Sequence, residues 1–324
     1  MDKHDTLNSV LTPKIYIVIL NWNGINDTLG CIDSIQTLVY KNYELIVVDN
    51  GSEDNSSKII RERYPNIIVI ENESNLGYAD GNNVGIEYAL QHNADYVWLL
   101  NNDTFVDRNA LTALVEIGEK NSEVGILGSK IFYYDRPNYI WFAGAMINWK
   151  RAESNHIGQN EVDRKQYDFI REIDRVTGCS MLVKRCVCER IGLLDGKLFL
   201  YTEELDWCVR AKKNGYKIYY VPDSKVYHKI SSSTGLNFER IFYYYNTRNF
   251  LYVIYKNLSF PIREIYLIRA ILTKIYECKS VLREIFKLNL WPKEINYSKE
   301  MCVMRGILDF VLGRMGKGYY EDIL

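Results

Sequence analysis

The stretch Tyr96-Val97-Trp98-Leu99-Leu100-Asn101-Asn102-Asp103 runs from five mostly apolar residues into two amides and a carboxylate. Its apolar half has the length and character of a buried strand. Polar residues just past the carboxyl end of such a strand sit where open α/β sheets keep their ligand crevice. Asp103 is placed there to hold a hard divalent cation through oxygen, a cation that keeps several waters and binds substrate phosphates. A competing reading makes Asn102, Asp103 and Thr104 a turn that caps the next helix. A second cluster, Glu203-Glu204 with Asp206, lies between Tyr201 and Trp207. Adjacent carboxylates at a helix start, flanked by aromatics, can raise one pKa toward the range a general base needs. Asp206 and Arg210 are spaced for an i,i+4 ion pair. His228 ends the segment Val226-Tyr227 and suits either a satisfied strand-end histidine or a metal or phosphate partner.

The elements that must position these groups are legible upstream. Residues 15–20, 43–48, 67–70 and 96–100 are apolar runs that read as strands. The recurrence Leu29, Ile32, Ile35, Leu38 marks one helix face, and residues 56–63, 81–91 and 109–120 read as helices. Four alternations with short links predict parallel strands with helices on both faces, because parallel strands need crossovers. The strand ends then gather on one edge. A crevice lined by Trp22, Asp49, Asn50, Asn75, Gly77 and Asp103 suits a nucleotide, with Asn21, Asn82 and Asn102 at the same edge as further candidates. No Walker A sequence is present and no GxGxxG follows the first strand, which disfavours a P-loop or dinucleotide fold. A pyrophosphate bound here needs a metal or basic side chains.

Past Gly125 the alternation breaks down. Residues 126–134 read as extended, and 135–175 as loops and short antiparallel strands that build a second substrate's site. Residues 176–183 read as a strand entered through a bend at Gly178. Thr202 is expected to cap a helix that Asn214-Gly215 ends. Residues 218–221 read as a strand stopped by Pro222, and 231–235 as a loop.

The chain of 324 residues accommodates one large domain with an appendage. We expect a catalytic unit over 1–255, with a nucleotide half at about 14–125 and an acceptor half at about 126–255, and a helical region over 256–324. A formal net charge of −1 gives no basis for nucleic acid as a partner. Seven cysteines without CxxC pairs read as reduced thiols in a cytoplasmic protein. No run of about 20 uncharged apolar residues is present, so no spanning helix is expected. In the tail, Ile265, Ile268, Ile271 and Ile275 form a ridge interleaved with Arg263, Arg269, Lys274, Lys279 and Arg283. That ridge suits packing on the catalytic unit or on a homodimer partner. It also suits peripheral contact with the inner face of a membrane.

Taken in order, these motifs resemble the family 2 glycosyltransferases of GT-A fold, in particular their bacterial rhamnosyltransferase-like branch. The resemblance covers about Ile15 to Asn257. It rests on Val47-Val48-Asp49-Asn50-Gly51-Ser52 with Asp54, Asn75-Leu76-Gly77 with Gly81-Asn82-Asn83, Leu99 to Asp103, Gly178 with Ile191-Gly192, Tyr201 to Arg210, His228, and Arg248-Asn249. It implies a mostly parallel nucleotide-binding sheet and inverting, metal-dependent transfer of a sugar. The donor is a UDP- or dTDP-sugar, such as dTDP-rhamnose. The acceptor is a glycan or a polyprenyl-diphosphate-linked glycan of the cell surface. It further implies Asp49 on the nucleobase, Asp103 and His228 around Mg²⁺ or Mn²⁺, and Glu204 as the base with Glu203 as the alternative. Gly178, Asp206, Trp207 and Arg248 fall on the acceptor side. The chain departs from the family pattern in having Asn101 where an Asp-x-Asp motif has its first carboxylate, and Glu204 where Asp is common. Two rival functions are a catalytically silent nucleotide-sugar or carbohydrate-binding module and a sugar-1-phosphate nucleotidyltransferase. The latter wants a glycine-rich basic loop where Asn21-Trp22-Asn23-Gly24 stands.

Overall fold

A computed structural model describes residues 12–230, 236–278 and 299–318. The four expected strands are β1 (Ile15–Asn21), β2 (Tyr43–Asp49), β3 (Ile68–Glu71) and β4 (Tyr96–Asn101). β1 pairs in parallel with β2 on one side and β4 on the other, and β2 pairs with β3. Ile15 to Ile19 of β1 are at most 3% exposed. Burying each such side chain contributes about 1.5–3 kcal/mol, which fixes this strand at the centre. Between the strands run α1 (Ile25–Gln36), α2 (Ser56–Arg63) and α3 (Gly77–Gln91). α1 buries Cys31, Ile32 and Ile35, the face that its three-residue recurrence predicts.

After β4 come the short β5 (Thr104–Val106), α4 (Ala110–Lys120), β6 (Val124–Tyr133), β7 (Ile140–Phe142) and the separate hairpin β8 (Ala145–Asn148) with β9 (Glu153–His156). β10 (Arg171–Glu172), β11 (Ser180–Lys184), α5 (Arg185–Ile191), α6 (Glu203–Lys213) and β12 (Lys217–His228) follow. The main sheet runs β10-β12-β6-β11-β4-β1-β2-β3. It is mostly parallel, but β11 is inserted antiparallel between β4 and β6. That insertion departs from the simple alternation of the first half.

Three expectations in the second half need correction. The strand expected from residue 176 begins at Ser180, because residues 176–179 form the bend into it. Pro222 does not stop its strand: β12 runs on to His228. Its pairing with β6 jumps between Val221 and Lys225, so the proline sits in a bulge where no ladder hydrogen bond is lost. Thr202 precedes α6 without capping it. Its φ is 70° and its hydroxyl is buried without a hydrogen bond.

The C-terminal helices are α7 (Leu236–Asn257), α8 (Ile262–Glu277) and α9 (Lys299–Val311). The expected division at 255/256 falls in the last turn of α7. Phe250, Leu251, Val253 and Ile254 of α7 form a second apolar core with Ala270 of α8 and Val303 and Ile307 of α9. The expected isoleucine ridge splits between two faces. Ile271 and Ile275 pack on this core, whereas Ile265 and Ile268 are exposed beside Ile262, Leu272 and Tyr276. Lys279, Arg283 and the loop 231–235 lie outside the described residues.

Candidate active site

Strand register brings Asp103 and His228 together. β12 pairs antiparallel with β5, setting His228 opposite Thr104, the residue after Asp103. Lys229 N donates to the Asp103 backbone oxygen at 2.8 Å and closes this contact. His228 Nε2 then lies 3.1 Å from Asp103 Oδ1. Asp103 Oδ1 has no other hydrogen-bond partner, and neither does the buried His228 Nδ1. Asp103 thus does more than close a turn: it presents an unsatisfied carboxylate oxygen beside His228.

The acid pair arrives from another direction. Glu203 and Glu204 open α6 after a turn in which Phe199, Tyr201 and Thr202 all adopt positive φ, of 60°, 65° and 70°. Consecutive non-glycine residues in that region are strained, and surrounding structure must hold them. Asn249 of α7 does so: its Nδ2 donates to the carbonyls of Leu198, Leu200 and Tyr201, each at 2.8 Å. Arg248 lies beneath, fully buried, with its Nε on Asn249 Oδ1 and its guanidinium over the Tyr244 and Tyr245 rings.

Glu203 and Glu204 line one cavity of about 640 Å³ together with Asp103, His228, Gly178 and Asn101. Within it the two carboxyls differ. Glu203 is 4% exposed and its Oε2 has no hydrogen-bond partner. Burial first, then the charge of Glu204, hold the Glu203 carboxyl well above the usual carboxylate range. Glu204 accepts a 3.0 Å hydrogen bond from Arg175 Nη1 through Oε1. Its Oε2 carries no described hydrogen bond. His156 lines the same cavity. Burial first, and then the Arg175 guanidinium, lower its pKa to about 3, so the ring is neutral.

The expected nucleotide residues gather at the carboxyl edge, outside this cavity. Asn21 and Asp49 are in register, and Asn21 Nδ2 donates to Asp49 Oδ1 at 3.0 Å. Asp49 is 4% exposed, while Trp22 stands free at 48%. Asn50 knits the loop before α3, donating to Asn75 Oδ1 and the Gly77 carbonyl and accepting from Asn72 and Leu76. Gly77 has φ +80°, and an added Cβ would lie 2.5 Å from the Phe199 carbonyl oxygen. Asn82 donates back to the Tyr78 carbonyl within α3, and Asn102 points away from the cavity to Thr28.

Three expected acceptor-side residues are placed in the packing instead. Asp206 is fully buried, bonded to Arg210, Lys256 and Asn257, so the i,i+4 pair accounts for it. Trp207 is buried with Nε1 on the Gly192 carbonyl. Arg248 supports the strained turn. Gly178 alone of the four meets the cavity, with its carbonyl accepting from the Tyr78 hydroxyl at 2.8 Å. Arg175, Trp141 and His156 line the cavity but lie in the aperiodic 135–175 region, where sequence pattern offers no signal for them.

The fold agrees with comparison to known proteins. A sequence model described as Glycosyl transferase family 2 matches residues 16–188, over half of the chain, and the chain belongs to that family. It is a glycosyltransferase. Among its relatives is the dTDP-rhamnosyl transferase RfbF of Shigella flexneri, 26% identical over 325 residues, covering 96% of this chain and 100% of the relative. Another is the N-acetylglucosaminyl-diphospho-decaprenol L-rhamnosyltransferase of Mycobacterium tuberculosis, 26% identical over 212 residues, covering 59% of this chain and 68% of the relative. The fold is GT-A. The mannosyltransferase PcManGT of Pyrobaculum calidifontis, solved with GDP-Man and Mn²⁺, superposes with a TM-score of 0.58 at 15% identity, over 94% of this chain and 89% of its own. S. aureus TarS 1-349 gives 0.56 at 15% identity, over 93% and 82%.

Proposed function

We propose that the chain transfers rhamnose, with inversion, from dTDP-rhamnose to a lipid-linked glycan acceptor. The observation that carries this reading is the single cavity shared by Asp103, His228, Glu203 and Glu204. The dTDP-rhamnosyl and decaprenol-linked names of the two relatives support the donor and the acceptor class. In the step itself, Glu204 takes the proton of the acceptor hydroxyl as that oxygen attacks the anomeric carbon. The new glycosidic bond forms as the anomeric carbon–phosphate oxygen bond breaks, and dTDP leaves with the bonding electrons. No covalent sugar–enzyme intermediate forms. Burial biases Glu203 toward its protonated form, which favours Glu204 as the base.

Asp103 and His228 fit a divalent cation: a hard oxygen and an imidazole nitrogen lie 3.1 Å apart, and that oxygen has no other partner. With no third such side chain in reach among the described residues, a cation held there would need further oxygen ligands, which the donor diphosphate and water could supply. Mg²⁺ or Mn²⁺ bound there would neutralise the charge that develops on the leaving diphosphate. Asp49, Trp22 and Asn75 take the nucleoside, and Asn21, Asn50, Asn82 and Asn102 hold their loops in shape.

No described helix is long and apolar enough to cross a membrane. The exposed row Ile262, Ile265, Ile268, Leu272 and Tyr276 of α8 supports peripheral contact at the cytoplasmic membrane face, where a polyprenyl-linked acceptor resides. The test of the whole reading is incubation with dTDP-rhamnose, Mn²⁺ and a synthetic N-acetylglucosaminyl-diphospho-polyprenol. NMR of the product then assigns the new linkage. A product of inverted anomeric configuration is expected. Retained configuration rejects the displacement, and no product with this donor but product with another rejects rhamnose.

A further inference from the structure

Arg175 is a tightly held guanidinium in the cavity wall. Its side chain is 8% exposed. Nε donates to Ser154 Oγ at 2.7 Å, and Nη1 to the Val176 carbonyl at 3.1 Å and to Glu204 Oε1 at 3.0 Å. Ser154 belongs to β9, and Arg175 itself bridges to Ala145 of β8 through its backbone. The guanidinium therefore ties Glu204, at the start of α6, to a hairpin that also offers Asn155 and His156 to the cavity. A planar fork bonding three partners at once fixes direction as well as distance, which an ammonium cannot do.

We propose that Arg175 is the positioning residue for Glu204: it clamps one carboxylate oxygen to the β8–β9 hairpin and leaves the other free to receive the acceptor proton. The assignment rests on the reading of Glu204 as the base. It also makes the hairpin a reference frame for the acceptor, since a sugar seated against Asn155 and His156 meets a base held to the same two strands.

The test uses the full chain, with Mn²⁺, dTDP-rhamnose and the lipid-linked acceptor, in Arg175→Gln, Arg175→Lys and Ser154→Ala. Displacing a reacting group by about 1 Å costs about 10²-fold, so Arg175→Gln is expected to lose about 10²-fold in kcat with the donor KM kept. Arg175→Lys falls between it and wild type. Ser154→Ala, which removes one bond of the clamp, loses about threefold to tenfold and stands in should Arg175→Gln not fold. A kcat unchanged by Ser154→Ala and by whichever Arg175 variants fold, or an effect confined to donor KM, overturns the proposal. A second readout separates it from the functional reading. In protein labelled with ¹³C at glutamate carboxyls, the Glu204 signal, assigned with Glu204→Gln, is expected to move in Ser154→Ala and the Arg175 variants and to stay in the surface variant Arg61→Gln. A Glu204 signal unmoved by the clamp variants overturns the proposal. A moved signal in an enzyme that turns over no nucleotide sugar supports the clamp and removes the function.

Discussion

Replacing each member of the acid pair by its neutral isostere should give opposite results. Glu204 lies at the cavity with one oxygen held by Arg175 and the other free, and a general base contributes about 10²–10⁴-fold. Glu204→Gln should therefore lose that factor in kcat, about 3–5 kcal/mol of transition-state stabilisation, with donor binding within a few-fold. Burial, then the charge of Glu204, bias the Glu203 carboxyl toward its protonated form, so Glu203→Gln keeps its shape and should keep most of the activity. It should also remove a pH dependence of stability. The folded-state pKa of Glu203 is raised, by burial and then by Glu204. The protonated carboxyl is thus favoured in the fold. Its stabilisation is fully present below the unfolded pKa and is lost as pH rises through the folded pKa, at about 1.4 kcal/mol per unit of elevation. Glu203→Gln should accordingly melt higher than wild type at neutral pH and converge with it in acid. The assay is dTDP release from dTDP-rhamnose, with thermal melts at several pH values. An inactive Glu203→Gln beside an active Glu204→Gln refutes the reasoning.

Three further outcomes are expected. Gly77→Ala forces a left-handed φ on alanine and drives its Cβ against Phe199, costing about 2–4 kcal/mol in denaturant unfolding; an unchanged midpoint contradicts the packing described for the loop before α3. Asp206→Ala leaves Arg210 and Lys256 without their buried partner and should cost about 3–5 kcal/mol of stability, while the folded fraction keeps its kcat. A selective fall in kcat would return Asp206 to the acceptor site. Ile268→Glu with Leu272→Glu on α8 should abolish sedimentation with anionic liposomes while leaving the melt unchanged; if instead gel filtration shows a wild-type dimer dissolved by the pair, the row is a subunit interface.

The first half of the fold was legible because each strand is a solid apolar run and each helix keeps its period, as β1 and α1 illustrate. The edge residues Asp103, Glu204 and His228 were legible as chemical types at the ends of those elements. Their convergence was implied only by the resemblance, because the Asp103–His228 contact depends on the β5–β12 register and on a bulge that carries the strand past Pro222. Arg175 escaped notice for a related reason: it follows an aperiodic stretch, and only the hairpin bridge places it beside α6. Asp206, Trp207 and Arg248 looked like site residues because they neighbour the acid pair and the aromatic tail in sequence. Helical geometry turns the first two away from the cavity, and the third is buried under the turn that presents it.

The most direct test of the central claim is the thermal stability of wild type and Asp103→Ala with dTDP-rhamnose, each with Mn²⁺ and with EDTA. A ligand that binds only the folded state at about 100-fold its Kd adds about 2.7 kcal/mol, a readable rise in Tm that requires no acceptor. That rise is expected for wild type with Mn²⁺, and its loss with EDTA and in Asp103→Ala. A rise of the same size without metal, or in Asp103→Ala, would contradict the role given to the Asp103–His228 edge. No rise with any nucleotide sugar would contradict the cavity as a donor site.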